Sequence, residues 1–163
     1  SNLPYYAATH IMKKLIHYRK HIRSMTLMLQ KEVVDRLTAK PGLRAYGSLS
    51  VYVHYHCEVQ RLLEIPNYAF SPKPKIDSSL IGLMPLPQPR VRVEDPKLFF
   101  KMVNSAFFHK RKMLKNNLKD WKHLFNEKNG QARLAGIDLN RRGETLSLDE
   151  FADLANYLHA QNG

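Results

Sequence analysis

The sequence predicts an α/β fold followed by a small all-α domain, and three observations carry that prediction. Apolar runs of strand length alternate with helix-periodic segments over roughly the first half. Pro85, Pro87 and Pro89 then form a stiff linker. Beyond it the apolar residues recur at helical spacing. The expected domains are therefore residues 1–86 and 90–163.

Residues 7–18 read as a helix, because Ile11, Met12, Leu15 and Ile16 share one side and Lys13, Lys14 and His17 the other. Residues 23–29 (RSMTLML) have the length and apolarity of a strand buried on both faces. A helix over 31–38 follows and stops at Pro41-Gly42. Ser48 or Ser50 caps a helix to about residue 56, after which 57–65 reads as a strand ended by Pro66. Residues 70–75 (FSPKPK) form an extended, stiff loop, since two prolines fix φ and bias their neighbours away from helix. Residues 76–84 read as the next strand. In the tail, Asp95-Pro96 supplies a cap and first-turn proline for a helix through Phe99, Phe100, Val103 and Phe107. A second helix carries Leu114, Leu118 and Trp121, and a last one runs over 148–160 behind a Ser147/Glu150 capping box.

Charge narrows the function. Among 163 residues, 26 Lys and Arg face 14 Asp and Glu, a formal net charge of +12. That excess suits a polyanion, nucleic acid before an acidic membrane surface. One cysteine excludes a disulfide framework. No apolar run approaches the ~18 residues of a membrane span. The first residues carry neither Met nor a signal pattern, so the expectation is a piece of a longer, cytoplasmic protein.

The sharpest motif is Asn2-Leu3-Pro4-Tyr5. An Asn-x-Pro-aromatic loop suits methylation of an exocyclic amine on a nucleobase. Such an amine is a poor nucleophile, because its lone pair is delocalised into the ring. The Asn2 side-chain oxygen and the Pro4 carbonyl each accept one N–H, which holds the amine and raises its electron density. Pro4 stiffens the direction of that carbonyl, and Tyr5 offers a ring to a flipped-out base. The plainer reading of the same four residues is a Pro-Tyr turn after a strand.

Five blocks, in order, resemble the ribosomal RNA adenine dimethyltransferases. They are Asn2-Leu3-Pro4-Tyr5, residues 28–37 (MLQKEVVDRL), residues 46–51 (YGSLSV), residues 69–78 (AFSPKPKIDS) and residues 106–118 (AFFHKRKMLKNNL). The resemblance implies a Rossmann-like methyltransferase domain binding S-adenosylmethionine, then a small helical domain. It also implies the transfer of methyl groups to two adjacent adenosines of small-subunit rRNA. By position, Asn2 and Pro4 would hold the target amine, Tyr5 and Phe70 would sandwich the adenine, and Asn2 would adjoin the cofactor. The sequence departs from the family at the cofactor. Its seven glycines, at 42, 47, 82, 130, 136, 143 and 163, never fall as Gly-x-Gly. Residues 1–86 are therefore expected to be a partial domain without the cofactor-binding first half, inactive alone and prone to self-association through an uncovered sheet.

The run Lys110-Arg111-Lys112 with Lys115 and Lys119 reads as a phosphate-binding stripe, with Lys112, Lys115 and Lys119 on one helical face. Its plain alternative is a solvated charged face. Lys13 and Lys14, near the catalytic loop, extend the same basic surface, and Lys73 and Lys75 flank Phe70 to hold a flipped nucleotide's backbone. The expected partner is the small ribosomal subunit. His54, His56, Cys57 and Glu58 tempt a zinc reading, but no motif completes four ligands, so no metal is expected. Two rivals remain. One is the related large-subunit methylase that confers macrolide resistance, which the Pro-Lys-Ile-Asp-Ser and Lys-Arg-Lys blocks disfavour. The other is a non-catalytic RNA-binding or ribosome-assembly factor, which has no need of two aligned acceptors.

Overall fold

A computed structural model describes residues 1–4, 6–128 and 131–162. The chain divides into two compact units, residues 1–39 with 53–90, and residues 40–52 with 91–163.

The first unit is built on a three-stranded sheet of β1 (Met25–Gln30), β2 (Cys57–Ile65) and β3 (Ser78–Pro85). Their order is β1-β3-β2, with β3 antiparallel to both neighbours. Three helices accompany the strands: α1 (Ala8–His17), α2 (Lys31–Thr38) and α3 (Ser48–His56), the last beginning in the other unit. Alternation decides which side chains are buried. Met25, Leu27 and Leu29 are buried while Thr26 is exposed, and Ile81 and Leu83 follow the same rule on β3. The expected strand buried on both faces is thus buried on one. α2 lies against all three strands, burying Val34 and Leu37. Each such side chain contributes roughly 1.5–3 kcal/mol on leaving water. On the strands' other side Leu62 and Met84 stay exposed.

The second unit is mainly helical, with α4 (Pro96–Ala106), the single turn α5 (Leu114–Asn117) and α6 (Leu148–Asn162). Asp95 caps α4 by accepting from the Lys97 and Leu98 amides at 2.8 and 3.1 Å, ahead of Pro96 in the first turn. The Ser147/Glu150 box closes reciprocally at 3.1 and 2.8 Å. Phe99, Met102, Val103 and Ala106 form the apolar stripe of α4 and pack on α6, where Phe151, Leu154, Ala155 and Leu158 are buried. Besides its helices this unit holds a meander of β4 (Asn126–Lys128), β5 (Gln131–Leu134) and β6 (Ile137–Asp138) that periodicity did not announce.

Residues 40–52 join the tail through specific contacts. Gly42, at φ +88°, donates its amide to the Glu144 carbonyl at 2.7 Å. Tyr46 is buried edge-to-face on Phe107, whose ring meets Phe151 at 5.7 Å.

The expected helix through Leu114, Leu118 and Trp121 is not continuous. α5 ends at Asn117, and a 3-10 segment, Lys119–Leu124, replaces the next turns. Leu114, Leu118 and Trp121 are buried nonetheless, so their spacing marks a core without requiring one helix.

Gly143 offers a direct test of packing. A Cβ there would lie 2.8 Å from the Ala106 carbonyl oxygen, a backbone atom at the end of α4. Gly143→Ala is expected to destabilise the protein by about 1–3 kcal/mol, read as a lower midpoint in urea; an unchanged midpoint would show that the helix end yields freely.

Candidate functional site

Residues 1–3 extend the sheet. Met28 donates its amide to the Ser1 carbonyl at 2.8 Å, and Leu3 donates to the Met28 carbonyl at 3.4 Å, a parallel bridge between Asn2 and Met28. Because β1 and β2 are both antiparallel to β3, they run the same way, and residues 1–3 run with them. The loop leaving residue 3 and the loop leaving β2 therefore emerge at the same end of the sheet, the carboxyl end where α/β folds bind ligands.

Each loop is fixed by a short list of bonds. Leu3 is buried, while Asn2 and Pro4 on either side are exposed. Ala7 donates to the Pro4 carbonyl at 3.0 Å, one turn before α1. A carbonyl oxygen has two lone pairs, so this bond aims the Pro4 oxygen and leaves it able to accept another. In the second loop, Pro66 is followed by a 3-10 turn, Asn67–Ala69. Its closure brings the Phe70 amide to the Asn67 carbonyl at 3.3 Å. Asp77 ties the loop's base: its carboxylate accepts from the Asn67 amide at 2.9 Å and its carbonyl from the Lys31 amide at 3.0 Å.

The two loops meet in a cleft of ≈ 250 Å³ lined by Asn2, Leu3, Pro4, Phe70, Pro72 and Pro74. Two acceptors and one aromatic ring, held by three prolines, can do two things chemically. The ring and prolines offer flat apolar surface to a planar group, and the acceptors can bind a hydrogen-bond donor on its edge. Tyr5 lies outside the described residues.

Other residues named from the sequence are distributed less simply. Lys73 is exposed and does not line the cleft. Lys75 lines a neighbouring depression with Lys31, Glu32, Asp35 and Asp77. Lys13 and Lys14 are exposed on α1. In the second unit, Lys112 lies in the turn before α5, Lys115 on α5 and Lys119 at the start of the 3-10 segment. The three lysines do not form the single helical face expected, because no helix runs from 112 to 119. Lys115 and Lys119 instead come together with Lys122 around a depression of ≈ 400 Å³. Lys110 donates its ammonium to the Arg44 carbonyl and so ties down residues 40–52, while Arg111 is exposed. Lys122 continues the i, i+3, i+7 series at i+10 but lies beyond Lys119, where the basic run was taken to end, and Asp77 escaped because its part is to tether backbone.

His56 and Cys57 are buried and His54 half-buried. Burial lowers the His56 pKa to about 4, with Arg19 adding to the effect, and raises Cys57 to about 11. At neutral pH the thiol keeps its proton and is a weak nucleophile. His54, also lowered by burial, has its Nε2 at 2.9 Å from the Leu37 carbonyl. Among the described residues no group of three His, Cys, Asp or Glu side chains is placed to hold a metal, and no helix is long and apolar enough to cross a membrane.

A ribosomal RNA small subunit methyltransferase A from Bacillus cytotoxicus is 46% identical over 162 residues, covering 97% of this chain and 56% of its own length. Its Clostridium acetobutylicum counterpart is 43% identical over 159 residues, covering 98% and 58%. The chain thus spans a little over half the length of the curated relatives it matches. Among solved structures, a dimethyladenosine transferase from Plasmodium falciparum superposes with a TM-score of 0.76 at 23% identity, over 99% of this chain and 66% of that one. The 23S rRNA methyltransferase ErmE gives 0.67 at 17% identity, over 97% and 63%. Those two establish the shared Rossmann-like fold. The model of the family described as ribosomal RNA adenine dimethylase matches residues 1–160, and the chain belongs to that family.

Proposed function

We propose that the chain is the target-binding part of an enzyme that methylates the exocyclic amines of two adjacent adenosines in small-subunit rRNA. The observation that carries this reading is the cleft in which Asn2, Pro4 and Phe70 converge. A flipped-out adenine stacks on Phe70. Its amine donates one hydrogen to the Asn2 side-chain oxygen and the other to the Pro4 carbonyl. Accepting both hydrogens concentrates the lone pair on nitrogen and stabilises the positive charge that grows there during transfer. Lys112, Lys115, Lys119 and Lys122 hold phosphates without reading sequence. The partner proposed is the small ribosomal subunit in the cytoplasm.

S-adenosylmethionine is the methyl donor proposed, supplying an electrophilic methyl group when bound. Its fit to the residues present is incomplete. The ≈ 250 Å³ cleft is of a size for a base, and of its lining only Asn2 would adjoin a donor. None of the seven glycines forms a Gly-x-Gly turn. The part of these residues is therefore confined to holding and polarising the amine.

Three outcomes test the reading. In a full-length methyltransferase carrying this segment, Asn2→Ala is expected to lower single-turnover methylation on the order of 100-fold with RNA affinity little changed. Near-normal turnover would remove Asn2 from the chemistry. Phe70→Tyr or Phe70→Trp should retain more activity than Phe70→Leu, because a base stacks on any planar ring for about 1–3 kcal/mol; equal activity for Leu and Tyr would reduce Phe70 to a space filler. Replacing Lys112, Lys115 and Lys119 with Gln should lower the slope of log affinity against log salt by ~0.7–0.9 for each phosphate no longer neutralised, whereas an unchanged slope would place the RNA on another face.

A further inference from the structure

Phe107 and Phe108 are neighbours with opposite fates. Phe107 packs on Tyr46 and Phe151, whereas Phe108 is 77% exposed. The backbone that carries Phe108 is nonetheless held firmly. Phe108 donates its amide to the Ser105 carbonyl at 3.1 Å, and Lys112 donates to the His109 carbonyl at 2.9 Å. The Asn117 carboxamide fastens the same turn from outside, donating to the Ala106 and His109 carbonyls at 2.8 and 3.1 Å and accepting from the His109 amide at 3.2 Å. The His109 ring meets Phe108 edge-on at 4.7 Å. An exposed ring on a braced turn presents a flat apolar face at little entropic cost, since its backbone is already ordered.

That face borders a cleft of ≈ 550 Å³, within the ~300–1,000 Å³ usual for small-ligand sites. Lys101, Asn104, Asn116 and Lys119 share its walls. Lys101 sits 3.9 Å from the Asp120 carboxylate and 5.5 Å from the Trp121 ring centroid, which leaves Lys119 as the cation without an ion pair among the described residues. The Asn104 and Asn116 carboxamides make no hydrogen bond among the described residues, and each offers donors and an acceptor.

A stacking face, two uncommitted carboxamides and an unpaired ammonium correspond to the face of a base, its edge and a phosphate. We propose that this cleft is a subsite for one unpaired nucleotide of RNA, with its base on Phe108, its edge toward Asn104 and Asn116, and its phosphate on Lys119. The proposal rests on the RNA-binding reading above and extends it. It adds a second base-binding position, in the tail unit, that selects single-stranded over duplex RNA, because a paired base cannot leave its stack without cost.

The test uses the chain in a Phe70→Leu background, so that the sheet-end cleft contributes no stacking. Three probes are compared by fluorescence anisotropy: a hexameric oligoadenylate, a ribose-phosphate hexamer lacking bases, and a short RNA duplex. Phe108→Leu should weaken oligoadenylate binding about fivefold or more, and Phe108→Tyr should restore it. Neither change should affect the baseless strand or the duplex. Lys119→Gln should weaken oligoadenylate and baseless strand alike. Oligoadenylate should also alter the emission of Trp121, the chain's one tryptophan, through Lys101. Oligoadenylate binding unaltered by Phe108→Leu, or an equal loss for the baseless strand, would overturn the subsite while leaving RNA binding intact. Failure of all three probes to bind would overturn the RNA-binding reading, and the subsite with it.

Discussion

The geometry of the sheet-end cleft depends on the insertion of β3 between β1 and β2 in the opposite direction. A strand antiparallel to both neighbours forces those neighbours parallel. Gln30 and Ile65, at the ends of β1 and β2, both pair with Ser78 at the start of β3. The chain leaving β2 must therefore loop at the level where β1 hands over to α2, and the Asn2–Met28 bridge puts residues 1–3 at that level too. Side-chain choice then has a place to act. Asp77, one residue before β3, fastens the loop to the start of α2 through Lys31 and to its own beginning through Asn67. Prolines at 4, 72 and 74 hold the rest. For the proposed role of holding one amine between two acceptors, such stiffness is a gain, since misplacement by an ångström costs catalysis heavily.

Charge is arranged on a different principle. On the first unit, four cations enter ion pairs: Lys31 and Arg61 share Asp35 and Glu64, Arg36 meets Glu32, and Arg90 meets Glu58. The Glu64 carboxyl is held below the usual carboxylate range chiefly by its hydrogen bond from Lys31. In the second unit Arg141 grips Glu150 and holds its carboxyl low in the same way. Lys112, Lys115, Lys119 and Lys122 have no ion pair among the described residues. Exposed like charges repel by about 1 kcal/mol at 4 Å in water, a small penalty that a polyanion reverses. The net charge of +12 is shared by both units, and Lys14, Lys73 and Lys75 of the first unit are likewise outside any ion pair among the described residues.

Much of this was legible in the sequence, for identifiable reasons. α2, α3 and β2 fall where composition placed them, because Pro41-Gly42 and Pro66 act through local backbone physics that tertiary contacts do not override, and the Gly47 amide donates to the Ser50 hydroxyl at the start of α3. The caps at Asp95 and Ser147 were readable for the same reason. The meander was not. Its turn, Ala135-Gly136, has φ of +51° and +79°, a conformation usually signalled by Asn-Gly or Asp-Gly. The break after Asn117 was equally hidden, since Leu114, Leu118 and Trp121 keep helical spacing while the chain tightens into 3-10 turns. In the sheet-end cleft, Asn2 and Pro4 were singled out from residue chemistry, whereas Phe70 was singled out through the family resemblance. Their company with Pro72 and Pro74, and the separation of Lys75 into another depression, depend on the fold.

The two units differ in what their contacts can contribute to a rate. Under the proposed reading, a phosphate held by Lys115 or Lys119 would be the same phosphate before and during methyl transfer. Such contacts bind ground state and transition state alike, so they strengthen association without raising turnover. The proposed acceptors at Asn2 and Pro4 behave otherwise, because the amine nitrogen becomes positive only as the new bond forms. Their interaction strengthens along the reaction, and that difference lowers a barrier. Rigidity is accordingly demanded where the charge changes, in a cleft closed by prolines and a sheet end. Across the basic surface, long flexible lysines suffice, because a point charge needs proximity to phosphate more than a fixed angle.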